Sequence, residues 1–378
     1  MMKNKPFIIW AGVLLFLVII VSSYNVGKRS ETIIIPSGEE NHSDNQKKTR
    51  PFQVNTIYRL PKAGQLLGWS SPDSVVGFFK GDGTSERTAL SLQRLSSPYE
   101  KAEIVKGIES NMSNLKMSPD GKHIAGVTLG LSKASMQLLS TANGKKTEIA
   151  SISASNEVYV QDVSWSNNSR YVCYLVLDVG QGNQTSLRVY DTDSGTLKTY
   201  TLNDFAEKNS LTGVNISDNG RDLLLTVLQR SDEYGIRMGT IDGNRIKIHD
   251  KRLDSRGAPV WLNNDQFVFL DTGETLYEYD RRNGELSALL EKVTVFKFSN
   301  DLKKIAYSLK DEDNIYAGKL QGKNILYEEP IYHGTIPSEI YWSPDGNSLL
   351  VNAQYQYPAI ESASARFLEE QAYIITFK

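Results

Sequence analysis

Beyond residue 51 the apolar positions fall in short runs separated by turn-forming residues. "SLRVYDT", "TLYEYDR" and "NIYAGKL" alternate apolar with polar positions, the period of a half-buried strand. "HIAGVTL" and "KIAYSLK" are nearly continuous in their apolar content, as a strand covered on both faces is. "TANGK", "IDGN" and "RRNG" follow the alternating runs, and their Asn-Gly and Asp-Gly pairs predict tight hairpins, whose turns require positive φ. Helical periodicity is confined to the N-terminus and to "SASARFLEEQA" near the C-terminus, where it predicts one short helix.

These runs repeat. "LGWSSPDSVVGFF", "LKMSPDGKHIAGV", "VSWSNNSRYVCYL", "VNISDNGRDLLLT", "PVWLNNDQFVFLD", "FKFSNDLKKIAYS" and "IYWSPDGNSLLVN" share an apolar anchor, a polar corner and an apolar run. The anchors are Trp69, Met117, Trp165, Ile216, Trp261, Phe298 and Trp342, spaced by 48, 48, 51, 45, 37 and 44 residues. A mean of about 45 is the period of a four-stranded propeller blade. Each corner explains itself as a turn: Pro fixes φ, Asp or Asn accepts backbone N–H bonds, and Gly takes the left-handed position. The last repeat lacks a fourth strand, and an orphan strand, "FQVNTIYRL", precedes the first corner. Pairing the two would close the ring and remove its free edges. The expected fold is therefore an all-β, seven-bladed propeller of four-stranded blades over residues 52–378.

The units "YWSPDGNSLL" and "KMSPDGKHIA" resemble the repeat of TolB-like propellers, a WD40-like repeat that also builds the N-terminal propeller of dipeptidyl-peptidase-type enzymes. The Pro-Asp signature gives way to Asn-Asn at 167–168 and 263–264, Asp-Asn at 218–219 and Asn-Asp at 300–301. The resemblance implies a propeller that binds protein or peptide outside the cytoplasm, and it carries over no catalytic residue.

The N-terminus adds a location. "MMKNK" is basic, residues 6–27 carry no charge, and the apolar run 7–21 reaches far enough to span hydrocarbon as a helix. Residues 1–27 are expected to be a cytoplasmic tip and a retained transmembrane signal anchor, and residues 28–51 a disordered polar tether. The propeller is then held outside the cytoplasmic membrane of a bacterium; cleavage after "VSS" would instead secrete it.

Composition narrows the chemistry. A net charge of −2 over 378 residues gives no global basic field, so no nucleic-acid partner is expected. The single cysteine, Cys173, has no disulfide partner and reads as a buried apolar residue. His42, His123, His249 and His333 do not stand at metal spacing, and no metal or other cofactor is expected. No Gly-x-Ser-x-Gly elbow is present. Ser113 to Lys116 matches Ser-x-x-Lys and Ser217 to Asn219 matches Ser-Asp-Asn, but Lys-Thr-Gly is missing and both lie in blade elements. Asp191, Asp193 and Gly195 look like part of a calcium loop without its distant Glu, and a hairpin turn explains them. "GDGTSER" opens no helix and so is no phosphate loop.

Ligands of propellers usually sit over the channel, on the face opposite the corners. Binding candidates on that face are Glu109, Glu157, Tyr159, Arg256 and His333. The long segment 354–371 adds Tyr355, Tyr357, Arg366 and Phe367, residue types of binding hot spots. The leading expectation is a non-enzymatic, monomeric scaffold or sensor that binds a protein or peptide of the cell envelope. The alternative is a propeller enzyme, a lyase or hydrolase of carbohydrate or lactone, working at the channel mouth.

Overall fold

The computed structural model describes residues 50–80, 91–105, 112–130, 133–153, 158–180, 184–202, 205, 210–230, 233–356 and 368–378. Within 50–378, which form one compact unit, the strands assemble into seven four-stranded antiparallel sheets. The expected seven-bladed architecture is therefore present. The expected membrane anchor lies outside the described residues. Among those that are described, no helix is long and apolar enough to cross a membrane.

In blades 1 to 6 the four strands follow in chain order. Their innermost strands are Lys62–Ser71, Met112–Met117, Val158–Trp165, Leu211–Ile216, Val260–Trp261 and Val293–Phe298. Blade 7 runs from Ile336–Trp342 through Ser348–Gln356 and Leu368–Phe377 to Val54–Arg59, the first strand of the chain. Val54–Arg59 pairs antiparallel with Leu368–Phe377, placing Ile57 opposite Ile375 and Tyr58 opposite Ile374.

The core is divided into seven apolar clusters, one between each pair of adjacent blades. In blade 4, Leu223, Leu225 and Val227 pack towards blade 3, while Leu224 packs towards blade 5. Every second strand is thus covered on both faces, which is why those runs are apolar without alternation. The cluster of Leu66, Trp69, Leu95, Leu350 and Ile374 joins blade 1 to blade 7 and completes the ring.

The short helix expected within "SASARFLEEQA" is not formed where the chain is described. Leu368 to Ala372 belong to a strand paired with residues 352–356, and 361–367 lie outside the described residues. Cross-strand pairing outweighs the local helical preference of Leu, Glu and Ala there. The segment expected as a loop over 354–371 is shorter than its sequence suggests, since Gln356 and Leu368 already pair.

Candidate functional site

The corners are self-contained hydrogen-bond systems. In five blades the buried serine after the anchor donates to the acid or amide two residues on: Ser118 to Asp120, Ser166 to Asn168, Ser217 to Asn219, Ser299 to Asp301 and Ser343 to Asp345, at 2.6–2.7 Å. Gly121 follows at φ 74°, and a Cβ there would stand 2.3 Å from the Trp69 carbonyl oxygen of blade 1. Asp345 is therefore structural.

Above the corners the innermost strands line the channel. Their residues just before the anchors, Gly68, Lys116, Val260, Lys297 and Tyr341 among them, surround one pocket of about 390 Å³ at the corner end. Each tryptophan anchor donates its indole N–H to this layer in the preceding blade: Trp165 to the Lys116 carbonyl (3.1 Å), Trp261 to Asn215 (3.3 Å), Trp342 to Lys297 (2.9 Å) and Trp69 to Tyr341 (3.1 Å). The backbones that carry both lysines and the tyrosine are thereby pinned. Gly68 leaves room for the Tyr341 ring, whose Cδ1 would lie 3.4 Å from a Cβ at that position.

Register shifts in the innermost strands set a second layer. There Thr212, Thr294 and Ser338 bond back to their own blade's second strand. Asn114 and Asp162 instead turn to the next blade: Asn114 donates to the Val160 carbonyl, and Asp162 accepts the Val214 N–H, both at 3.0 Å. Both hold positive φ, an uncommon conformation for residues other than glycine.

Two corner asparagines cross the channel end. Asn167 of blade 3 donates to the Trp261 carbonyl of blade 5 at 2.6 Å, and Asn300 of blade 6 donates to the Pro119 carbonyl of blade 2 at 2.5 Å. They stand where Pro119 and Pro344 stand in other repeats, so the loss of Pro gains ties between blades that are not neighbours.

The pocket's electrostatics are unusual. Among the described residues neither Lys116 nor Lys297 has a carboxylate within ion-pair distance. The Lys297 side chain meets water inside the channel yet is ringed by protein. That loss of bulk water, followed by the neighbouring Lys116 charge, draws its amine below the ordinary lysine value. Burial raises the Asp162 carboxyl, against the Val214 N–H and the Lys116 charge, which act the other way. Burial, then Glu339, raise the Tyr341 phenol, so it stays protonated through the neutral range. Glu339 is the carboxylate that lines the pocket.

The residues expected from sequence to bind a ligand lie elsewhere or outside the described chain. Glu109, Glu157, Tyr357, Arg366 and Phe367 are outside it. Tyr355 is in a strand, opposite Glu369. Tyr159 is half-exposed on the innermost strand of blade 3. Arg256 pairs with Glu274 at 2.5 Å, and His333 Nδ1 lies 2.6 Å from the Asn314 amide oxygen. None of these described residues lines the channel pocket. The signal missed was a column of the repeat: aligning the residue before each anchor puts Lys116 and Lys297 in one layer.

No protein-family model matches this chain, and no curated protein matches it. Solved structures do. The β-propeller domain of the trilobed protease from Pyrococcus furiosus aligns over 82% of this chain and 94% of its own, with TM-score 0.51 and 12% identity. Oligogalacturonate lyase from Vibrio parahaemolyticus aligns over 85% and 91%, with TM-score 0.54 and 8% identity. Acylaminoacyl peptidase from Pyrococcus horikoshii gives TM-score 0.51 and 12% identity over 83% of this chain; the match spans about half (51%) of the peptidase. The fold shared with them is the β-propeller. The expectation of a non-enzymatic scaffold is corrected here. Enzymes stand among the structures of this architecture, so the repeat that suggested a pure binding module does not support excluding catalysis.

Proposed function

We propose that the chain is a propeller enzyme whose channel takes an acidic carbohydrate and cleaves it as a lyase. The observation that carries this reading is the pair Lys116 and Lys297, neither in an ion pair with a carboxylate among the described residues, beside Tyr341 in one pocket. A volume of about 390 Å³ suits a small sugar unit. The likeness to oligogalacturonate lyase supports the substrate class at the level of fold.

The chemistry follows from the side chains. Elimination from a sugar acid needs a cation on the carboxylate, a base for the proton beside it and an acid for the leaving oxygen. Lys116 supplies the cation. Lys297, its amine drawn down, is the base. Tyr341, protonated, is the acid. Hydrolysis with two flanking carboxylates is less well served, because among the described residues only Glu339 lines the pocket.

The test is the appearance of unsaturated product from a panel of acidic oligosaccharides. Lys297→Met should lower kcat by about 10²–10⁴, the usual worth of a general base. The wild-type rate should rise with pH as the Lys297 amine loses its proton. Turnover of none of the panel, or a Lys297→Met enzyme as fast as wild type, would remove the reading.

The enzyme is a TolB-like propeller held outside the cytoplasmic membrane by residues 1–27. Alkaline-washed membranes should retain the full chain, and proteolysis within residues 28–51 should release the propeller.

A further inference from the structure

We infer that Lys297 is a carbonyl-capturing residue: it forms an imine with small anionic aldehydes or 2-oxo acids whose charge is held by Lys116. This goes beyond the lyase reading and does not require it. Two ammonium-bearing side chains line one channel pocket, from blades 2 and 6; the Asp162 carboxyl acts on Lys116 by charge, whereas the charge felt by Lys297 is that of Lys116. An anion fits between them by charge, since it removes the repulsion that the empty pair carries. Trp165 and Trp342 fix the two lysine backbones from the adjacent blades. A lysine placed beside a second cation, away from bulk water, is the arrangement that leaves a neutral, nucleophilic amine near pH 7. The direction of the Lys297 shift agrees.

The step balances without an oxidant or reductant. Lys297 Nζ adds to the carbonyl carbon and forms the C–N bond. The carbonyl oxygen takes a proton to give the carbinolamine, and its departure as water leaves C=N. Lys116 pairs with the carboxylate and sets the carbonyl carbon against Nζ.

The experiment uses the full chain at pH 7 with glyoxylate as probe and cyanoborohydride as trap. Peptide mass mapping then locates the carboxymethyl label. Lys297 should label at least tenfold faster than the exposed Lys101 and Lys198. Lys297→Arg, which keeps the charge, should lose that label while the surface lysines keep theirs. Lys116→Met should slow Lys297 labelling by glyoxylate more than by acetaldehyde, which has no anion to hold. Lys297 labelling no faster than the surface lysines overturns the inference, and equal loss for both aldehydes in Lys116→Met overturns the role of Lys116. A chain that cleaves acidic oligosaccharide but is not trapped keeps the lyase reading and loses this one; a chain that is trapped but inactive does the reverse.

Discussion

At the scale of single residues, buried charge separates structure from chemistry. Glu278 in blade 5 is 3% exposed, accepts from Gln266 Nε2 at 2.9 Å, and does not line the channel pocket. Burial is the main cause of its raised carboxyl pKa, with Asp280 and Glu285 adding to it and Lys323 and Arg282 opposing. A raised folded value means that the native state favours the proton, so ionisation costs stability as pH rises. Glu278→Gln keeps an acceptor for Gln266 and removes the charge. It should gain about 0.5–2 kcal/mol at pH 7. That gain should fade as pH falls through the raised folded value towards about 4.3, and be gone below it, where the carboxyl is protonated folded or unfolded. Urea midpoints at pH 7 and pH 4 check it, and a gain independent of pH would mean that charge is not its cause. Asp345 is the counterexample: its Ser343 partner and turn position were legible in "SPDG", because corner chemistry is local. The roles of Asn167 and Asn300 were not, since their partners lie 94 and 181 residues away.

At the scale of the strand, an anchor has two functions. Trp342 fills the interface between blades 6 and 7, and its N–H holds the carbonyl of Lys297. Trp342→Phe retains most of the packing and should cost about 0.5–1.5 kcal/mol for the lost bond. Trp342→Ala should cost about 3–5 kcal/mol. If the pinned backbone positions the Lys297 amine, Trp342→Phe should also slow glyoxylate trapping at Lys297, while Trp69→Phe, which frees the carbonyl of Tyr341 instead, should leave it nearly unchanged. Equal trapping rates in all three proteins would reduce the anchor to packing. The strands themselves were readable from their period, and the hairpin turns from Asn-Gly and Asp-Gly. Which strand residues face the channel was not, because a register shift moves side chains from one face to the other without a mark in the sequence.

At the scale of the molecule, the ring is held shut by chain ends about 320 residues apart. Thr56 N–H donates to Thr376 Oγ1 at 3.1 Å, Arg59 Nε donates to the Gln371 amide oxygen at 2.8 Å, and the Leu60 N–H reaches the Ala372 carbonyl at 2.9 Å. Phe52 packs on Trp342 and Phe377 at the same seam. The count of seven was legible because each blade announces itself with a corner. The channel pocket was not, because its lining comes from six blades that are far apart in sequence and meet only when the ring is closed. The same dependence gives a prediction. Removing residues 50–60 exposes the edge of Leu368–Phe377 and loosens the seam beside Tyr341 and Trp342, which line the pocket. The truncated chain should melt below wild type, and a synthetic peptide of residues 50–60 should restore the melt saturably by adding the missing strand. Lys297 trapping should fall with the truncation and return with the peptide. A truncated chain that melts and traps as wild type does would show that six complete blades and a three-stranded seventh already hold the channel in shape.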